Sequence, residues 1–341
     1  MRQAAHPPLH GFVIVILAAS LFGMLGPLSR FAYEAGMEPL PFVAWRAFIG
    51  LLGTLVFVVW RISRGGTRLV RLRDLTPRSA IALGVASVTV FTLSIGMFAA
   101  FERTTVALVL LGFYTFPVMV AAVAVALGRE RLDRPKLVAL ALATGGMVLV
   151  VASQLDPAAG IRFDVFGFGL ALGAAVSQTI FVTISRDGYS AVPTDQAMAV
   201  VLATTVALCI IGAVVGGSAD ALVMPLESPD VLPLLIFTGV FAAAIPSLGF
   251  LAGIRLIGGT RAGILMLFEP VVGVALAAVL LSEALGPLQA AGGAAILGAA
   301  LILQRASAGA DRFDPADAVI PLERPVPGEE DALTIRVPGG P

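Results

Sequence analysis

The sequence predicts an all-α integral membrane protein, with ten transmembrane helices arranged as two inverted five-helix repeats. Three observations carry that expectation. Hydrophobic residues make up 58% of the 341 and charged ones only 13%, whereas a soluble domain carries about 25% charge. The apolar residues gather into ten stretches of about 20 residues, the length a helix needs to cross a bilayer core while satisfying its own backbone groups. The second half of the chain also repeats landmarks of the first at an offset of 153 residues.

The spans fall near residues 12 to 33, 40 to 60, 79 to 100, 105 to 127, 136 to 153, 165 to 185, 196 to 216, 231 to 254, 260 to 282 and 287 to 304. Residues 1–11 are then a short N-terminal segment, 12–154 the first repeat, 165–304 the second and 305–341 a tail. Pro39 and Pro41 open the second span, Pro135 the fifth and Pro287 the tenth, each near a helix start where a missing N–H does no harm. The first apolar stretch is too long for a signal-peptide core and lacks a clear cleavage site, so it is expected to remain as the first anchor. The tail changes character abruptly, with Pro315, Pro321, Pro325, Pro327, Pro338 and Pro341 among scattered acids. It cannot bury a core and is expected to be a disordered, solvated extension.

Orientation follows from the bases near the span ends. With the N-terminus inside, the inner loops collect sixteen Lys and Arg, six of them between Arg61 and Arg78. The outer loops collect three, Arg30, Arg103 and Arg162. Both termini are therefore expected in the cytoplasm. The basic residues are almost all Arg, a bias of GC-rich bacterial genomes, which makes the expected location a bacterial inner membrane.

Composition excludes several classes of function. The 22 basic and 22 acidic residues cancel, so no overall field recommends nucleic acid. The single cysteine, Cys209, sits in an apolar run and reads as a packing residue. The two histidines, His6 and His10, precede the first span, which leaves little from which to build a metal or His-based catalytic site. No phosphate-binding Gly-x-x-x-x-Gly-Lys-Ser/Thr motif is present, so any transport must draw on a gradient or on the solute itself. No cofactor is expected, and the partners expected are a small solute and the lipid bilayer, with a homodimer left open.

At the offset of 153, Pro117 falls on Pro270, Glu130 on Glu283, Leu132 on Leu285 and Gly145 on Gly298. An offset of 156 likewise brings Leu28-Ser29-Arg30 beside Ile184-Ser185-Arg186. Five spans per copy is an odd number, so the second copy enters from the opposite side, the inverted-repeat plan of many secondary transporters. Arg46 in the second span, Phe268-Glu269-Pro270 in the ninth, and the turns Gly128-Arg129-Glu130-Arg131-Leu132 and Ser282-Glu283-Ala284-Leu285 complete a pattern. Over residues 11 to 304 it resembles the drug/metabolite transporter superfamily, in particular its EamA-type members. The second turn has Ser282 where the family usually has Gly, and the first copy has Phe116 rather than an acid before Pro117. The resemblance implies a carrier of small metabolites, often an exporter of amino acids or related compounds, with a central cavity worked by alternating access and no enzymatic activity. A sugar or nucleotide-sugar carrier is the nearest alternative, and a membrane enzyme or a channel the more distant ones.

Candidate site residues are the polar groups stranded in apolar spans. Glu269 is nine residues from the inner end of the ninth span, or about 13 Å along a helix. A carboxylate there must face protein or a water-filled cavity. It is a candidate for binding a solute amine or carrying a proton, the alternative being a structural hydrogen bond to a neighbouring helix. Pro270 beside it either frees a carbonyl for solute or merely kinks the helix. Arg46 sits six residues into the second span. It either faces the cavity, where it would attract a solute carboxylate or Glu269, or snorkels outward. Tyr114, Gln178, Ser94 and Ser247 add hydrogen-bonding groups that read either as solute contacts or as glue between helices. The stripes Gly169, Gly173, Ser177 and Gly239, Ala243, Ser247 have the four-residue spacing of close helix packing. Glu130, Glu283, Pro117 and Pro270 are assigned structural roles, the two acids as caps for the helices that follow them.

Overall fold

The computed structural model describes residues 8–66, 68–130, 132–153, 163–281 and 286–310, and among these every regular element is helical. Pass 1 consists of α1 (Leu9–Gly23) and α2 (Leu25–Glu34), pass 2 of α3 (Pro39–Ser63) and pass 3 of α4 (Pro77–Arg103). Pass 4 consists of α5 (Val106–Phe113) and α6 (Phe116–Ala126), and pass 5 of α7 (Arg134–Ala152). Passes 6 and 7 are α8 (Val165–Ser185) and α9 (Thr194–Val215), with the short α10 (Met224–Glu227) in the loop beyond. Pass 8 joins α11 (Leu232–Gly239) to α12 (Ile245–Ile257) through a π-helical turn, Val240–Ala244. Pass 9 is α13 (Gly259–Met266) and α14 (Glu269–Leu281), and pass 10 is α15 (Pro287–Ala310). Among the described residues eight helical stretches are long and apolar enough to cross a bilayer, and α1 is a shorter apolar helix.

The helix starts follow from local chemistry. Proline in the first turn of α3, α4 and α7 removes an N–H that would have no intrahelical partner. The Thr76 hydroxyl caps α4 by accepting from Ser79 N–H at 3.2 Å, and Asp164 caps α8 by accepting from Gly167 N–H at 2.6 Å. Pass 5 corrects one expectation. Its cap is Asp133, which accepts from Lys136 N–H at 3.1 Å, while Glu130 caps no N–H among the described residues and pairs instead with Arg186 Nη1 at 2.7 Å and with the Lys136 ammonium at 3.7 Å. Asp133 stands one residue before α7, where a short side chain reaches the free N–H groups; Glu130 is three residues farther back.

Three spans expected to be continuous are broken, at Met24, at Tyr114–Thr115 and at Leu267–Phe268. The last two breaks lie 153 residues apart, one per repeat. In each, the proline sits in the first turn of the following half-helix, so Pro117 and Pro270 start new helices rather than kink continuous ones. Pass 10 runs past residue 304 to Ala310, so the first residues assigned to the tail are helical. Residues 311–341, His6, Arg131, Arg162 and the Ser282-Glu283-Ala284-Leu285 turn lie outside the described residues.

The two copies pack with a shared logic. Pass 1 lies on pass 8 and pass 6 lies on pass 3, which is one contact with the copies exchanged. Passes 2 and 7, 4 and 9, and 5 and 10 pack on their own counterparts. Passes 5 and 10 approach at backbone level: a Cβ on Gly146 would stand 2.6 Å from the Gly292 carbonyl oxygen. Of the two small-residue stripes, Gly239 and Ala243 pack against pass 2, as expected. Gly169 and Gly173 do not; both are exposed and a Cβ on either meets nothing within 4 Å, whereas Ser177, the third member of that stripe, shares a 3.0 Å hydrogen bond with Thr92 of pass 3.

At one end of the bundle the loops are stitched together. Glu130 Oε1 accepts from Arg186, Arg129 Nη1 donates to the Thr183 carbonyl at 2.9 Å, and Arg255 Nη1 donates to the Val192 carbonyl at 2.8 Å. Gly258 lies under the Glu130–Arg186 pair at φ +87°, where a Cβ would stand 3.0 Å from the carboxylate. Burial raises the pKa of the Tyr189 hydroxyl, which keeps its proton and shares a 2.5 Å hydrogen bond with Ser185.

Candidate solute site

Passes 1 to 4 and 6 to 9 enclose a central cavity of about 210 Å³, while among the described residues passes 5 and 10 contribute no wall and buttress it from outside. Arg46, Glu269, Gln178, Ser94 and Ser247 all line it, so five of the six residues singled out in the sequence meet at one place. Tyr114, the sixth, is buried behind the wall with its hydroxyl hydrogen-bonded to the Glu269 carboxylate. It acts on the cavity through that acid.

The breaks in passes 4 and 9 explain this geometry. Tyr114 closes the last turn of α5, and Glu269 is the first residue of α14. The hydrogen bond between them therefore joins the break of one copy to the break of the other. A carboxylate at a half-helix N-terminus is also favoured by the free N–H groups there. Its counterpart in the first copy is Phe116, which lines the same cavity. The repeat is symmetric in backbone and asymmetric in charge.

Arg46 lies two turns inside α3 and does not snorkel. Its Nη1 donates to the Ala242 carbonyl of pass 8 at 3.3 Å, and its Nε is buried without a hydrogen-bond partner among the described residues. Arg46 and Glu269 feel each other's charge across the cavity but form no ion pair. Each is thus left with capacity for a third party. The Ser94 hydroxyl donates to the Val90 carbonyl of its own helix at 2.9 Å, which leaves its oxygen free to accept. The Gln178 and Ser247 side chains make no hydrogen bond among the described residues and offer both donor and acceptor to the cavity.

The remainder of the wall is apolar. Seven phenylalanines, Phe22, Phe98, Phe101, Phe113, Phe116, Phe181 and Phe250, line it, with Met97, Met198 and Met266 among them. Phe181 and Phe250 lie near parallel, their centroids 6.5 Å apart, across passes 6 and 8. Sequence reasoning missed these residues. A phenylalanine in an apolar span carries no mark of facing inward: Phe57, on pass 2, is exposed on the outer surface.

Comparison with known proteins agrees with this architecture. Residues 9–152 and 165–304 each match the EamA-like transporter family, so the two matched segments coincide with the two five-pass copies. An uncharacterized transporter of Archaeoglobus fulgidus is 28% identical over 298 residues, covering 87% of this chain and 97% of the relative. A solved crystal structure of a protein shares the fold with a TM-score of 0.68 at 20% identity, over 87% of this chain and 98% of that one.

Proposed function

The chain belongs to the EamA-like transporter family, a membrane transporter of the drug/metabolite superfamily, and from that premise we propose that it carries small zwitterionic metabolites, amino acids with apolar side chains, by alternating access. The observation behind this reading is the unpaired couple of Arg46 and Glu269 on one cavity wall system. A zwitterion satisfies both: its carboxylate takes the guanidinium and its ammonium the Glu269 carboxylate. Apolar side-chain atoms of the solute then rest among the phenylalanines and methionines, where burial yields roughly 25 cal/mol per Å². The cavity volume of about 210 Å³ falls below the roughly 300 Å³ at which drug-sized sites begin, which favours a small solute over a nucleotide sugar.

The direct test is counterflow of labelled L-leucine into lipid vesicles carrying the purified protein. Arg46→Leu removes a charged hydrogen-bonding partner of about 1.5–3 kcal/mol. The expected result is a transport loss of roughly tenfold or more, with membrane expression retained. Normal transport by the variant would overturn the carboxylate-binding role. Outward movement is part of the same proposal, and its check is the set of metabolites released by overexpressing cells against a deletion strain.

A further inference from the structure

A guanidinium facing an acid across an apolar cavity should collapse onto it unless something else holds it. The hold on Arg46 comes from pass 8. Its Nη1 donates to the Ala242 carbonyl, within the π-helical turn Val240–Ala244. In a regular α-helix that carbonyl would accept from the N–H four residues on. Residue 246 is proline and has no N–H, so Ala242 has no α-helical donor. The chain responds by widening: Ile245 N–H reaches back five residues to the Val240 carbonyl, and α12 begins beyond. An unpaired carbonyl in an apolar interior is costly, and Arg46 is the side chain that relieves it.

The neighbouring backbone fixes the approach. A Cβ on Gly50 would stand 3.1 Å from the Gly239 carbonyl oxygen and 3.2 Å from Ala243 Cβ. One on Gly239 would stand 2.6 Å from Ile49 Cβ and 3.2 Å from the Arg46 carbonyl oxygen. Passes 2 and 8 therefore touch at backbone level on the turns next to Arg46, and the bulge cannot drift from it. With Nη1 engaged, the buried Nε is left without a partner.

We propose that Pro246 is a positioning residue for solute selectivity: the carbonyl it deprives of a helical donor anchors Arg46 through Nη1, which holds the rest of the guanidinium at the cavity wall for a solute carboxylate and keeps it off Glu269. This rests on the reading of Arg46 as the carboxylate partner. Pro246→Ala restores an N–H at 246, lets Ala242 bond within its own helix and releases Arg46.

The test compares binding of L-leucine and L-leucinamide, which lacks the carboxylate, to purified protein in detergent. The wild type is expected to prefer leucine by tenfold or more. Pro246→Ala is expected to bring that ratio below threefold, with the melting temperature of the unliganded protein unchanged or raised. Gly50→Ala, which keeps the proline but pushes the bulge away from α3, is expected to lower the ratio in the same direction. In an Arg46→Leu background, Pro246→Ala should change the ratio no further, because its effect passes through Arg46. A wild type that does not discriminate overturns the functional reading itself. A wild type that discriminates, with Pro246→Ala discriminating equally well, overturns the positioning role and leaves that reading in place. A further drop in the Arg46→Leu background would show a general structural effect and also overturn the role.

Discussion

A carboxylate at the start of a half-helix in the middle of a bundle has two uses, and one substitution separates them. Glu269 faces the cavity, takes a hydrogen bond from Tyr114 and feels Arg46. If it carries a proton, Glu269→Gln, which imitates the protonated acid in shape, keeps solute exchange in vesicles but loses acceleration by an imposed pH gradient. If it holds the solute ammonium, the same variant weakens binding with or without the gradient, and the zwitterion reading expects this second result. An unchanged pH response together with full activity would leave Glu269 as a packing residue. Tyr114→Phe removes one hydrogen bond to a charged group, about 1.5–3 kcal/mol, and is expected to shift the same observable in the same direction by a smaller factor. Both charges were legible in the sequence because a charge in an apolar span is costly and stands out. The phenylalanine wall was not, since inward and lipid-facing aromatics have the same composition and only the packing tells them apart.

The same distinction holds for whole elements. Pro117 and Pro270 marked the places where passes 4 and 9 break, but a proline reads alike as a kink or as the first turn of a new helix. The structure has the second, and this brings Tyr114 to Glu269. Pro246 gave no comparable signal, because its effect is a π-helical turn whose meaning depends on Arg46 nearly two hundred residues away. Small-residue stripes are ambiguous for a related reason: they permit close approach without specifying a partner. Gly146 on α7 has one, since a Cβ there would meet the Gly292 carbonyl of α15 at 2.6 Å. Gly146→Ala is expected to destabilise by about 1–3 kcal/mol, as overpacking does. Gly169→Ala, with open space around it, is expected to be neutral or to stabilise by up to about 1 kcal/mol through helix propensity. Thermal unfolding of the two variants in one detergent gives the comparison. Equal midpoints would mean that the α7–α15 crossing yields without cost.

Across the whole molecule, two copies of one five-pass unit must slide against each other if the cavity is to open alternately. The stitched end of the bundle resists that motion. There Glu130 belongs to the first copy, Arg186 and Gly258 to the second, and the ion pair spans the joint at 2.7 Å. From the count of bases, that end and both termini are expected on the cytoplasmic side. A phosphatase reporter fused after residue 310 is therefore expected to be silent, and a periplasmic signal would reverse the assignment. The magnitude of the ion pair limits what its loss can do. The Arg186 side chain is 38% exposed and Glu130 is 10% exposed, so solvent screening leaves the pair about 1 kcal/mol or less. That corresponds to a shift of at most about fivefold between conformations. Arg186→Gln is expected to move the population towards the state open at this end by about two- to fivefold, without loss of folding. The chain's one cysteine is buried, so Cys209→Ala supplies a background in which Ser247→Cys reports on the cavity. Labelling of that cysteine by an impermeant maleimide from the cytoplasmic side of inverted vesicles should rise by the same factor in Arg186→Gln. Unchanged labelling would mean that the pair only decorates the loop ends, and that the closure of this end rests on the contact of Arg129, in the first copy, to the Thr183 carbonyl of the second.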